Sequence, residues 1–117
     1  MPTDESPQVE VIVSREFKLA LKYLSKRYRR IKSDVQPIID ELEAGEKPGD
    51  RIQGTDSIVY KVRIKNTDAQ KGKSGGYRLI YYVQVESTII LITIYSKSDQ
   101  TDISAEEIIQ IIEELEE

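Results

Sequence analysis

The sequence contains no cysteine and no histidine. The first absence excludes disulfides and thiolate-held metals. The second removes the commonest general acid/base and the commonest zinc ligand at neutral pH. Any catalysis must therefore run on arginine, lysine, tyrosine or carboxylate groups. Long apolar runs are missing as well. The longest, Ile89 to Ile94, is broken by Thr93 and falls far short of the about 20 residues a membrane helix needs. No membrane partner is expected. The segment 1–8 is acidic and lacks both the basic start and the apolar stretch of a secretory leader. It reads as a flexible acidic tail, and the cytoplasm as the expected location.

What is present suits one hydrophobic core. With 117 residues, 38% hydrophobic and 32% charged, the chain reads as a single domain over 9–117. The net charge of -4 conceals a segregation of sign. Eight Lys/Arg stand against Glu16 alone between Arg15 and Lys32, and six against Asp68 alone between Lys61 and Arg78. Asp99 to Glu117 holds eight acids and no base. A chain arranged this way can show a positive surface to a polyanion despite its acidic total.

Hydrophobic periodicity gives the order of elements. Val9, Val11 and Val13 alternate with Glu10 and Ile12 as in a strand, which Ser14 ends. Phe17, Ala20, Leu21, Leu24, Tyr28 and Ile31 then recur at helical spacing, leaving Lys18, Lys22, Lys26, Arg29 and Lys32 outside. Ser33 and Gln36 form a capping box for a second helix running to about Ala44, with Pro37 in its first turn and Gly45 as its stop. Residues 46–56 read as a loop.

Ser57 to Lys65 switches to period two, placing Val59, Lys61, Arg63 and Lys65 on one face. Gly76 to Val85 and Ile89 to Tyr95 are the next strands, joined by Glu86 to Thr88, with Gly75 and Gly76 serving a tight turn. Tyr81 and Tyr82 point to opposite faces, so one is expected in the core and only one exposed. Ser104 and Glu107 open a last helix. The class is α+β, in the order strand, helix, helix, three strands, helix, with a mainly antiparallel four-stranded sheet.

Three strings are distinctive: Lys61-Val-Arg63-Ile, Lys71-Gly-Lys73-Ser-Gly-Gly-Tyr-Arg78-Leu-Ile-Tyr81-Tyr82, and Ile94-Tyr95-Ser-Lys97. Gly72-Lys73-Ser74 is not a phosphate-binding P-loop, because residue 67 is threonine where glycine is required and a strand follows instead of a helix. With the order of elements, the strings resemble the RelE/ParE toxin superfamily, in its HigB-like branch. The likeness runs from Val9 to Leu115.

The resemblance implies a toxin that enters the ribosomal A site and cuts messenger RNA, with an antitoxin as its normal partner. The chemistry implied is attack of a ribose 2′-hydroxyl on its own 3′-phosphate. It requires cations for the charged phosphorane, a base for the 2′-hydroxyl and an acid for the departing 5′-oxygen. Arg63 and Arg78 suit phosphate clamping, since a guanidinium pairs two oxygens and keeps its charge. Lys61, Lys65 and Lys73 are candidates for proton transfer. Tyr95, with Lys97 beside it, can act as acid, base or stacking platform. Lys71 adds to the RNA-facing charge, and Lys26, Arg27, Arg29 and Arg30 can grip ribosomal RNA backbone or form only a solvated helix end.

Asp99 and Asp102, two spaced acids in a polar loop, are weak evidence for a metal, so a reaction without metal or cofactor is expected. Two other functions fit the same superfamily: a ParE-like inhibitor of DNA gyrase, and a regulatory binding module, which the acidic last helix makes credible.

Overall fold

The computed structural model describes residues 9–68 and 76–115. The expected tail over 1–8, together with Lys71, Lys73 and Gly75, lies outside the described residues. The elements are β1 (Glu10–Val13), α1 (Arg15–Ser25), α2 (Ile31–Glu43), β2 (Asp50–Arg51), β3 (Val59–Ile64), β4 (Tyr77–Val85), β5 (Thr88–Ser96) and α3 (Ala105–Leu115). The sheet runs β1-β5-β4-β3-β2, parallel between β1 and β5 and antiparallel elsewhere. The α+β class and the mainly antiparallel sheet agree with the sequence, but the sheet has five strands where four were expected. The extra strand, β2, lies within the segment read as a loop and pairs Asp50 with Lys61 and Arg51 with Tyr60. Gly49 allows that approach: it has φ +97°, and any Cβ there would strike the Lys61 carbonyl.

The sheet is covered on both faces. On one, α1 and α2 bring Phe17, Leu24, Ile31, Val35 and Leu42 onto Val62, Leu79, Tyr81 and Leu91. On the other, Ile108 and Ile112 of α3 pack onto Val59, Ile80, Tyr82, Ile90 and Ile92. Tyr81 and Tyr82 therefore do point to opposite faces, yet both are buried, because each face has its own helix layer. Tyr81 stacks on Tyr60 at 5.3 Å between ring centroids, and its hydroxyl donates to the Pro48 carbonyl at 2.6 Å.

The break between the first two helices differs from the expected one. α1 stops at Ser25, short of Tyr28 and Ile31, and α2 starts at Ile31 without a side-chain cap of its own. The Asp68 carboxylate, from the loop after β3, accepts the Arg30 amide at 2.7 Å and does the capping from outside the helix. Ser33 and Gln36 thus lie within the helix, where Ser33 donates to the Arg30 carbonyl and Gln36 to Asp40. Pro37 falls inside the helix instead of in its first turn. Its position is exposed, so the Ser33 carbonyl that loses an amide partner faces solvent. Half of the expected capping box at Ser104 forms: the Glu107 amide donates to Ser104 Oγ at 3.1 Å, while among the described residues the Glu107 carboxylate accepts no return bond from the Ser104 amide.

One irregularity positions everything that follows. β4 and β5 pair Ile80 with Thr93 but Tyr81 with Leu91, so Ile92 is an inserted residue. Without it, strict alternation would send Tyr95 to the same face as Leu91, under α1 and α2. With it, Tyr95 lies opposite Arg78 on the face that carries α3.

Candidate functional site

α3 covers the half of its sheet face nearest the β4–β5 turn, and no other described helix covers the rest of that face. There the register sets Arg63 opposite Arg78 and Arg78 opposite Tyr95, one row across three adjacent strands. Lys61 precedes Arg63 on the same side of β3, and Lys97 follows Tyr95 just beyond β5. Lys61, Arg63, Arg78 and Lys97 line a cleft of 490 Å³. One wall is β2 and its continuation to Gln53, and the other is the linker from Thr101 to Ile103.

The cations in this cleft differ in how they are held. Arg78 is only 7% exposed. Among the described residues its one hydrogen bond runs from Nη1 to the Tyr77 carbonyl at 3.2 Å, which leaves most of its five donors unspent. Arg63 is exposed, and neither it nor Lys97 has a side-chain partner among the described residues. Lys61 is paired: its Nζ lies 3.2 Å from Asp102 Oδ1. Two guanidiniums directly across from each other repel, and an anion between them relieves that repulsion. The geometry is that of an anion receptor.

Tyr95 is 6% exposed, and its hydroxyl donates to Asp102 Oδ1 over 3.4 Å, long for a hydroxyl bond. Burial first, and the Asp102 charge second, push its pKa up to about 12, against a smaller opposing pull from Arg78. Tyr95 therefore keeps its proton at neutral pH. Its raised pKa also links to stability: the contribution is complete below pH 10.0, the ordinary tyrosine value, and is lost as pH rises through about 12. A tyrosinate absorbance titration of the protein minus that of Tyr95→Phe should accordingly show its difference near pH 12. A difference centred at pH 10 would mean that the phenol is not enclosed as described.

Of the other residues singled out in the sequence, Lys65 is exposed just past the end of β3, which carries Lys61 and Arg63. Lys26, Arg27, Arg29 and Arg30 sit apart from the cleft, on the turn between α1 and α2. Lys26, Arg29 and Arg30 are exposed there. Arg27 is already engaged, with Nη1 at 3.1 Å from both Asp99 oxygens, Nη2 donating to the Tyr28 hydroxyl, and the guanidinium 4.9 Å from the Tyr28 ring centre. The two acids weighed as a metal pair instead take separate cations, Asp99 with Arg27 and Asp102 with Lys61.

The sequence does not reveal the cleft walls: Asp50, Arg51 and Gln53 fall in an apparent loop, and Asp102 reads there only as half of a weak metal pair. The one signal available for Asp102 was an Asp followed two residues later by a helix cap. No described helix is long and apolar enough to cross a membrane. A family model described as the RelE toxin of the RelE / RelB toxin-antitoxin system matches residues 16–115, from the second residue of α1 to the end of α3. That match spans both helix layers, four of the five strands and every described residue of the cleft, and the chain belongs to the RelE toxin family.

Proposed function

We propose that this toxin is a metal-independent endoribonuclease that cuts messenger RNA in the A site of the translating ribosome, in the cytoplasm, and that a cognate antitoxin restrains it. The observation that carries the reading is the Arg63–Arg78–Tyr95 row across three strands, with Lys61 and Lys97 at its flanks. Arg78, recessed and with unspent donors, and Arg63, exposed beside it, would grip the non-bridging oxygens of one phosphate. Those contacts strengthen as the phosphorane gains charge.

The ribose 2′-oxygen attacks its own phosphorus and the bond to the 5′-oxygen breaks, leaving a 2′,3′-cyclic phosphate and a free 5′-hydroxyl. Tyr95, protonated at neutral pH, supplies the proton to the departing 5′-oxygen. The 2′-hydroxyl proton would pass to the free-amine form of one lysine, Lys61, Lys65 or Lys73, and Lys97 and Lys71 would add attraction for the backbone. Lys26, Arg29 and Arg30, which do not line the cleft, would meet ribosomal RNA.

The reading is tested by mapping cuts on a defined message in a reconstituted bacterial translation reaction, beside the same RNA without ribosomes. Cuts confined to the translated message are expected. A message that stays whole with the folded protein in excess over ribosomes would sink the reading, and a gyrase supercoiling assay would then follow.

A further inference from the structure

Two carboxylates, Asp50 and Asp102, break the sign of the cleft, and Asp102 is the one bonded to a cleft cation. Asp102 stands on the linker between β5 and α3, and its Oδ1 receives three donors: Lys61 Nζ at 3.2 Å, the Tyr95 hydroxyl at 3.4 Å and the Ile103 amide at 2.9 Å. An ammonium and a phenol converging on one anionic oxygen are the donors a phosphate oxygen would take. Both belong to the group assigned above to RNA.

The linker offers Asp102 from a fixed base. Asp99 is held by Arg27, the Gln100 side chain donates to the Asp102 carbonyl at 3.0 Å, and Ser104 caps the helix that follows. The Asp102 side chain is nevertheless 64% exposed, its bond from Lys61 is at the upper end of the ordinary range and its bond from Tyr95 is long. Exposed pairs of this kind are weak and give way to a better-charged competitor. The Ile103 amide and Lys61 both hold the carboxyl below its ordinary pKa, so it carries its charge at neutral pH.

We infer that Asp102 is a displaceable internal anion: its carboxylate occupies a phosphate-oxygen position between Lys61 and Tyr95, and an incoming phosphodiester must push it aside. The natural ligand being RNA rests on the function proposed above; the competition with an anion does not. The device sets a threshold. Free RNA, which enters the cleft without help, meets an occupied Lys61, whereas a message held in place by a ribosome brings its phosphate at high effective concentration. Selectivity of this sort is gained by weakening binding to the unwanted partner. Asp50, directly across from Lys61 in the β2–β3 register, adds a second negative wall to the same lysine.

The test compares the full chain with Asp102→Asn and Asp102→Ala. Asparagine keeps an oxygen for the Ile103 amide and so preserves the linker, while alanine removes it. Two probes are titrated by calorimetry at low salt: inorganic pyrophosphate, and a short single-stranded RNA whose 2′-hydroxyls are methylated so that it cannot be cut. Both variants should bind pyrophosphate and RNA about three- to ten-fold more tightly than the parent, and should cut ribosome-free RNA faster. Tighter pyrophosphate binding with no RNA binding by any form would uphold the internal anion while removing RNA as the ligand. Unchanged or weaker pyrophosphate binding overturns the inference. So does unchanged anion binding with a large loss of cleavage, which would make Asp102 part of the chemistry.

Discussion

Arg78→Ala should lower cleavage of a translated message by roughly 100- to 1000-fold, the loss typical when a donor aimed at transition-state charge is removed, while leaving the fold as stable as before. The two halves of this result have one cause. Arg78 faces Arg63 across β3 and β4, and like charges directly opposite in a sheet cost stability. Removing one guanidinium relieves that cost and offsets the packing lost with the buried stem. The unfolding free energy from a urea titration should therefore stay within about 1 kcal/mol of the parent's.

A residue that served only to hold the sheet together would lose stability along with activity, so paired measurements of cleavage rate and urea midpoint decide the role. Arg78→Lys sharpens the comparison. It keeps the charge but replaces the planar fork with a point donor, and should recover only part of the rate. Full recovery with lysine would mean that charge alone matters and that Arg78 does not hold two oxygens at once.

How much of this could be seen in the sequence depended on the range of the interaction involved. Alternation along Val59 to Ile64 put Lys61 and Arg63 on one face because a strand's side chains obey a local rule. The Ser104 cap was legible for the same reason, since the hydroxyl and the amide it accepts are three residues apart. The α1–α2 break was not, because the group that caps α2 is Asp68, 38 residues from the amide it accepts. β2 has two charged, exposed residues and no periodicity to read. The Ile92 bulge was hidden within Ile89 to Ile94, where apolar residues suit either face of a sheet covered on both sides. The site residues in turn came from motif resemblance. Their convergence needed the bulge, which no motif announced.

That bulge makes Ser14→Ala the mutation to pair with Arg78→Ala. Ser14 is 3% exposed and has two tasks at once. Its hydroxyl oxygen accepts the Phe17 amide at 3.0 Å, capping α1, and the same hydroxyl donates to the carbonyl of Ile92, the bulged residue, at 2.8 Å. A bulge disrupts the ladder around its extra residue, and Ser14 supplies the Ile92 carbonyl with a donor from outside the sheet. The Ser14 amide also donates to the Leu91 carbonyl at 3.0 Å, so the start of α1 is fastened to two successive residues of β5.

Alanine would lose the cap, about 1 kcal/mol, and leave a buried carbonyl unsatisfied at about 1–3 kcal/mol. The expected loss is about 2–4 kcal/mol in urea unfolding. Because the bulge turns Tyr95 toward Arg78, the remaining folded protein should also cut message more slowly than its folded fraction explains, and the high tyrosine titration near pH 12 should move toward the ordinary value. Threonine, which keeps the hydroxyl, should restore most of both. Should Ser14→Ala unfold at the parent's urea midpoint, the hydroxyl is not what satisfies the bulge, and the placement of Tyr95 must rest on the packing of Ile92 under α3 alone.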